Sequence, residues 1–175
     1  EGETYYDFFA GIAVNSLGYG NEKFISSMQK QIAKVLHTSN LYYVENQGKL
    51  AEKICQNSCA DKVFFANSGA EANEGAIKLA KIYHYKKGDG RYEVISLHNS
   101  FHGRTVTTLA ATGQDVFHKY FFPFTEGFMF VPANDIEALE NAADDSVCAV
   151  MVELILGEGG VMPLSKDYVK SVEKE

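Results

Sequence analysis

Three short polar stretches, each following an apolar, β-prone run, carry the residues able to do chemistry. The first is Asn67-Ser68-Gly69-Ala70-Glu71-Ala72-Asn73, after Val63-Phe64-Phe65-Ala66. Small polar residues make a tight turn there, and Ala70, Ala72, Ala76, Ile77, Leu79, Ala80 and Tyr83 then fall largely at helical spacing. Strand, sharp turn and helix in that order aim free N–H groups and the positive end of a helix dipole at one point, where a phosphate is a natural occupant. Gly69 lets the backbone approach closely, and Ser68 adds a hydroxyl donor. The same residues also describe an ordinary helix with Ser68 as its cap. The second stretch is Asn99-Ser100-Phe101-His102-Gly103-Arg104-Thr105, after Tyr92–Leu97. The third is Glu153 and Gly157-Glu158-Gly159-Gly160, after Val147–Val152.

The elements that must position these stretches follow from the pattern. From Lys62 onward the chain reads β-α-β-α-β-α-β-α: strands at 63–66, 92–97, 128–131 and 147–152, each followed by a helix. Apolar strands alternating with helices predict an α/β fold with a mostly parallel sheet covered on both faces. Ligands in such sheets bind beyond the C-terminal strand ends, where all three polar stretches fall. Residues 1–60 form a separate N-terminal segment ahead of this 61–175 domain. Within it, Glu1–Phe9 reads as the tail of a β-hairpin, and Gly11, Gly18 and Gly20 predict a loop of tight turns. Asn21 caps a helix to about Leu36, with Phe24, Ile25, Met28, Ile32 and Val35 as its apolar stripe. A second helix runs from about Glu45 to Asn57. The polar and aromatic loop between them holds Asn40 and Tyr42.

Composition bounds the function. The 175 residues suffice for a substantial core. A net charge of −7 argues against nucleic acid or an anionic membrane as the main partner. No apolar run approaches the ~18 residues of a membrane span, and the first residues do not read as a signal peptide. Three sparse cysteines suit reduced thiols in the cytoplasm. Cys55 and Cys59, four apart on a helix with no second ligand pair, are read as helix-face residues rather than zinc ligands. No serine or cysteine has a convincing paired base. Gly-x-x-x-x-Gly-Lys-Ser/Thr and Gly-x-Gly-x-x-Gly are both absent, which counts against a nucleotide.

Read together, Asn67–Glu74, Phe101-His102-Gly103-Arg104-Thr105 and Glu153–Gly160 resemble the class III pyridoxal-phosphate aminotransferases. Gly11–Gly18 and His37–Tyr42 look most like the acetylornithine branch. The resemblance spans the whole chain. It implies the front half of a fold-type I aminotransferase large domain, working as a homodimer with pyridoxal 5'-phosphate. Gly69 and Ala70 would hold the cofactor phosphate through backbone N–H groups, with Ser68 beside them. Phe101 would stack on the pyridine ring, His102 would orient its loop, and Glu153 would lie near the ring. Arg104 would grip a substrate carboxylate by a forked pair of bonds. Glu158 would stand near the substrate, with Tyr42, and more weakly Asn40, on a loop close to the site. For Asn15 only the position of its loop speaks. Arg91, in a turn, is read as solvated, and His37, His84, His98 and His118 as structural or solvated.

The resemblance implies a substrate pair of N-acetylornithine and 2-oxoglutarate, in arginine biosynthesis. Ornithine, succinylornithine or 4-aminobutyrate are alternatives within the family. An aminomutase of the same fold and a non-enzymatic phosphate-binding module are alternatives outside it. Two departures stand out. Leu154 replaces the proline of the family's Glu-Pro-x-Gln-Gly-Glu, which would free the backbone after the strand, and Leu156 replaces its glutamine, which would remove a donor and an acceptor from the site edge. None of the 14 lysines sits in the family's lysine context. The Schiff-base lysine is expected beyond Glu175, so residues 1–175 alone would hold no catalytic residue and would not turn over.

Overall fold

The computed structural model describes residues 2–174. The chain divides into two compact units, Glu1–Val63 and Phe64–Glu175.

The first unit contains a short turn α1 (Ala10–Ala13) and two helices, α2 (Glu22–Lys34) and α3 (Glu45–Gln56). Asn21 begins α2 by accepting the Phe24 N–H at 3.0 Å on its side-chain oxygen, a cap worth about 1 kcal/mol. The apolar stripe of α2 lies on that helix but stays open: Phe24, Ile25, Met28 and Ile32 are all exposed. Gly11, Gly18 and Gly20 take positive φ, as tight turns require. The expected hairpin tail at residues 1–9 is not seen in the described part. Asp7 instead accepts the N–H groups of Phe9 and Ala10, bending the chain before a ladder can start.

The second unit is built on a parallel sheet of β1 (Glu93–Leu97), β2 (Phe128–Val131) and β3 (Val147–Met151), in the order β2-β1-β3. Its helices are α4 (Gly69–Lys87), α5 (Val106–Ala110), α6 (Ile136–Ala142) and α7 (Lys166–Val172). Alternation along β1 sorts its side chains between two faces. Ile95 and Leu97 enter a core with Val131, Leu139, Leu156 and Tyr168, each buried side chain contributing roughly 1.5–3 kcal/mol. Val94 and Ser96 enter the opposite layer, where Ser96 bonds the carbonyl of Ala111 just after α5. The sheet is therefore covered on both faces, as the βα alternation predicts.

Val63–Ala66, expected as the leading strand, is not one. The segment pairs with no strand among the described residues, and Phe64 is 78% exposed. Its residues are β-prone, but a strand exists only where a neighbour supplies the ladder. Leu156 also departs from its expected place at the site edge. It forms β4 (Ile155–Leu156), pairs antiparallel with β5 (Met162–Pro163), and is fully buried in the core. Arg91 is not simply solvated: its guanidinium reaches Asp145 at 2.8 Å, pinning the N-terminal ends of β1 and β3 together.

Candidate functional site

The site assembles at the C-terminal edge of the sheet. β1 and β3 run parallel, so the loops leaving them, 98–105 and 152–160, emerge on the same side. The start of α4 joins them there.

Ser68 is in extended conformation, with φ −153° and ψ 165°, and its hydroxyl accepts the Glu71 N–H at 3.2 Å. The Glu71 carboxylate reaches back to the backbone and side-chain nitrogens of Asn67, each at 2.8 Å, closing the turn. The N–H groups of Gly69 and Ala70 have no protein acceptor among the described residues. Ser68 and Gly69 are exposed. A 19-residue helix thus presents two free donors and its positive end to an open surface.

The second loop lies against this helix head. A Cβ on Gly103 would stand 2.8 Å from Ala70 Cβ and 2.6 Å from Thr108 Oγ1, so only glycine allows the approach. Its φ of +135° demands glycine independently. Asn73 donates its amide to the His102 carbonyl at 2.8 Å, and Thr105 bonds the Glu74 carboxylate at 2.6 Å. Three contacts along the first two turns of α4 therefore fix loop 101–105.

The third loop joins through Glu153. One carboxylate oxygen accepts the Phe101 N–H at 2.8 Å, the other the Gly157 N–H at 3.3 Å. Glu153 is half-buried and ties the loop after β3 to the loop after β1. Gly159 abuts the same region, since a Cβ there would fall 2.6 Å from the Asn99 carbonyl oxygen.

His102 is 5% exposed. Burial pushes its pKa below the ordinary histidine value, while the nearby Glu153 charge opposes that shift. Arg104 is exposed, with its guanidinium 5.9 Å from the Phe101 ring centre and 5.5 Å from that of Phe117. No carboxylate neutralises it among the described residues. A cation held over two rings with its donors free is suited to an incoming carboxylate.

Ser68, Gly69, Ala70, Phe101, His102, Arg104 and Glu153 thus come together around one sheet edge. Glu158 is exposed on the glycine turn and makes no hydrogen bond to a described residue. Tyr42, Asn40 and Asn15 belong to the first unit, where Tyr42 is exposed. Reading the sequence missed Asn73, Glu74, Ser96, Thr108 and Thr112, all of which hold the loop. Only Ser96 left a signal, as the one uncharged polar residue in a strand of Val, Ile and Leu.

The aminotransferase class-III family model matches residues 1–174. The chain belongs to that family. Class III aminotransferases are pyridoxal-phosphate-dependent enzymes, and the helix head and loop described above fit that cofactor: two free amides for a phosphate, and an aromatic residue, Phe101, on the loop packed against the same helix head. The acetylornithine aminotransferase of Caldanaerobacter subterraneus subsp. tengcongensis is 55% identical over 175 residues, 99% of this chain and 44% of that protein. That of Methanocaldococcus jannaschii is 49% identical over 98% of this chain and 44% of its own length. Among solved structures, the ornithine aminotransferase of Toxoplasma gondii superposes with a TM-score of 0.90 at 32% identity, covering 97% of this chain and 41% of that one. That structure has pyridoxal phosphate at partial occupancy in its active site. The chain therefore spans less than half the length of these relatives.

Proposed function

We propose that the intact protein is a pyridoxal-phosphate transaminase that moves the terminal amino group of N-acetylornithine to 2-oxoglutarate, in arginine biosynthesis. The observation that carries this reading is the packing of the Phe101–Arg104 loop on the head of α4. It brings Gly103 against Ala70, next to the free amides of the helix head, on the loop that also carries Phe101 and the unpaired guanidinium of Arg104. The names of the relatives point to the acetylated substrate.

Each residue has a part in the proposal. Gly69 and Ala70 hold the phosphate through their amides, with Ser68 at the rim. Phe101 covers one face of the ring and fixes its plane. Glu153 holds Phe101 at the backbone while its charge faces the same edge. Arg104 takes the carboxylate that both substrates carry, so one guanidinium serves both halves of the reaction. Glu158 and Tyr42 act at the substrate. When bound, pyridoxal phosphate supplies the electron sink for the transfer. The lysine that moves the proton is assigned to residues beyond Glu175, and 1–175 alone is expected not to turn over. A homodimer in the cytoplasm completes the proposal.

The test is substrate competition with the intact protein. Glutamate formed from 2-oxoglutarate is measured with N-acetylornithine, ornithine, succinylornithine and 4-aminobutyrate in turn. The highest kcat/KM is expected for N-acetylornithine, with no product when 2-oxoglutarate is left out. A higher value for ornithine would reassign the substrate, and turnover without 2-oxoglutarate would point to an aminomutase.

A further inference from the structure

The loop that carries Phe101 and Arg104 is held from beneath by a buried hydroxyl cluster. Ser96, Ser100 and Thr112 are fully buried, and His102 nearly so. Ser96 Oγ stands 2.7 Å from the Ala111 carbonyl oxygen, 3.1 Å from His102 Nε2 and 3.2 Å from Ser100 Oγ. Ser100 Oγ also accepts the Gly113 N–H at 3.1 Å.

Proton counting fixes the direction of every bond. A serine hydroxyl has one proton and two lone pairs. The Ala111 carbonyl cannot donate, so the Ser96 proton goes to it. Both lone pairs of Ser96 are then acceptors. Ser100 fills one with its own proton, and His102 fills the other with an N–H on Nε2. In the neutral ring Nδ1 is then without a proton. Nδ1 makes no hydrogen bond to a described residue. A charged imidazolium there would be disfavoured by the burial of the ring.

His102 is also the hub of its loop. Its N–H donates to Thr112 Oγ1 at 3.0 Å, and its carbonyl accepts from Asn73 of α4 at 2.8 Å. Phe101 precedes it, and Gly103, in contact with Ala70, follows it. The side-chain anchor to Ser96 is what links this hub to the rigid strand β1.

We propose that Ser96 is a positioning residue for the cofactor site: it holds His102 as the neutral Nε2–H tautomer and, through His102, sets the Phe101–Gly103 loop against the head of α4. The inference rests on the pyridoxal-phosphate reading for its consequence, but not for its geometry.

Two measurements on the intact protein test it. Histidine-selective 15N spectra, with His102 assigned by loss of its signal in His102→Gln, report the tautomer with and without pyridoxal phosphate. The expected result is a single neutral species with a bare Nδ1 in both states. A protonated Nδ1 or an imidazolium at neutral pH would overturn the proposal without touching the cofactor reading. The second measurement is the pyridoxal-phosphate dissociation constant by fluorescence titration. Ser96→Ala is expected to weaken it by about three- to tenfold, the worth of one hydrogen bond, and to give a mixed His102 tautomer. His102→Gln, which keeps an N–H of similar reach, is expected to lose less affinity than His102→Leu. If Ser96→Ala only lowers the melting temperature and leaves affinity unchanged, Ser96 is structural and the proposal is wrong. If the wild type binds no pyridoxal phosphate at all, the cofactor reading fails while the tautomer result still stands.

Discussion

At the scale of single residues, the site is set by close approaches more than by charges. Gly103 is the sharpest case. Its missing Cβ lets the loop after β1 touch Ala70, and its φ of +135° excludes other residues. Gly103→Ala is expected to cost about 2–3 kcal/mol of stability and to weaken pyridoxal-phosphate binding by about tenfold or more, since the loop must lift from α4. Denaturant midpoints and cofactor titration of the intact protein check both; an unshifted midpoint would mean that the contact is slack. Glu153 illustrates a role that spacing did not show. Its position after an apolar strand marks it as exposed to the site edge, but only the fold reveals that both its oxygens are taken by the backbone nitrogens of Phe101 and Gly157. The free amides of Gly69 and Ala70 were legible in advance, because a helix start leaves its first N–H groups unpaired, whereas Arg104 stood out only through the family resemblance.

At the scale of elements, helix and strand periods were legible wherever the element makes its own bonds or finds a strand to pair with. The caps Asn21, Ser68, Asp135 and Ser165 each accept the N–H three residues on, as their types foretell. That 63–66 forms no strand with the described residues was not legible, because a strand is a relation to a neighbour and its composition says nothing of who that neighbour is. The β4–β5 ladder was hidden by its two-residue strands and the glycines between them. Its consequence concerns Leu156. Since that side chain lies in the core with Leu97 and Tyr168, Leu156→Gln is expected to destabilise by about 2–4 kcal/mol through lost apolar burial and a buried amide. Restored hydrogen bonding at the site edge is not expected. Thermal denaturation decides it: a melting temperature equal to the wild type, with tighter cofactor binding, would return Leu156 to the site.

At the scale of the whole molecule, the proposed function puts the phosphate of the cofactor on the amides that open α4, which have no protein acceptor among the described residues. Gly69 allows a clean test because proline at the first helical position removes an N–H without breaking the helix. Ser68 is already in the extended conformation that a following proline requires, and nothing lies within 4 Å of a Cβ at Gly69. The measurement is the affinity of intact Gly69→Pro for pyridoxal phosphate and for pyridoxal, which lacks the phosphate, each compared with the wild type. A loss of about tenfold or more is expected for the phosphate ester, with no change for pyridoxal and an unchanged melting temperature. Equal losses for both ligands, or no loss for either, would contradict a phosphate held by these amides.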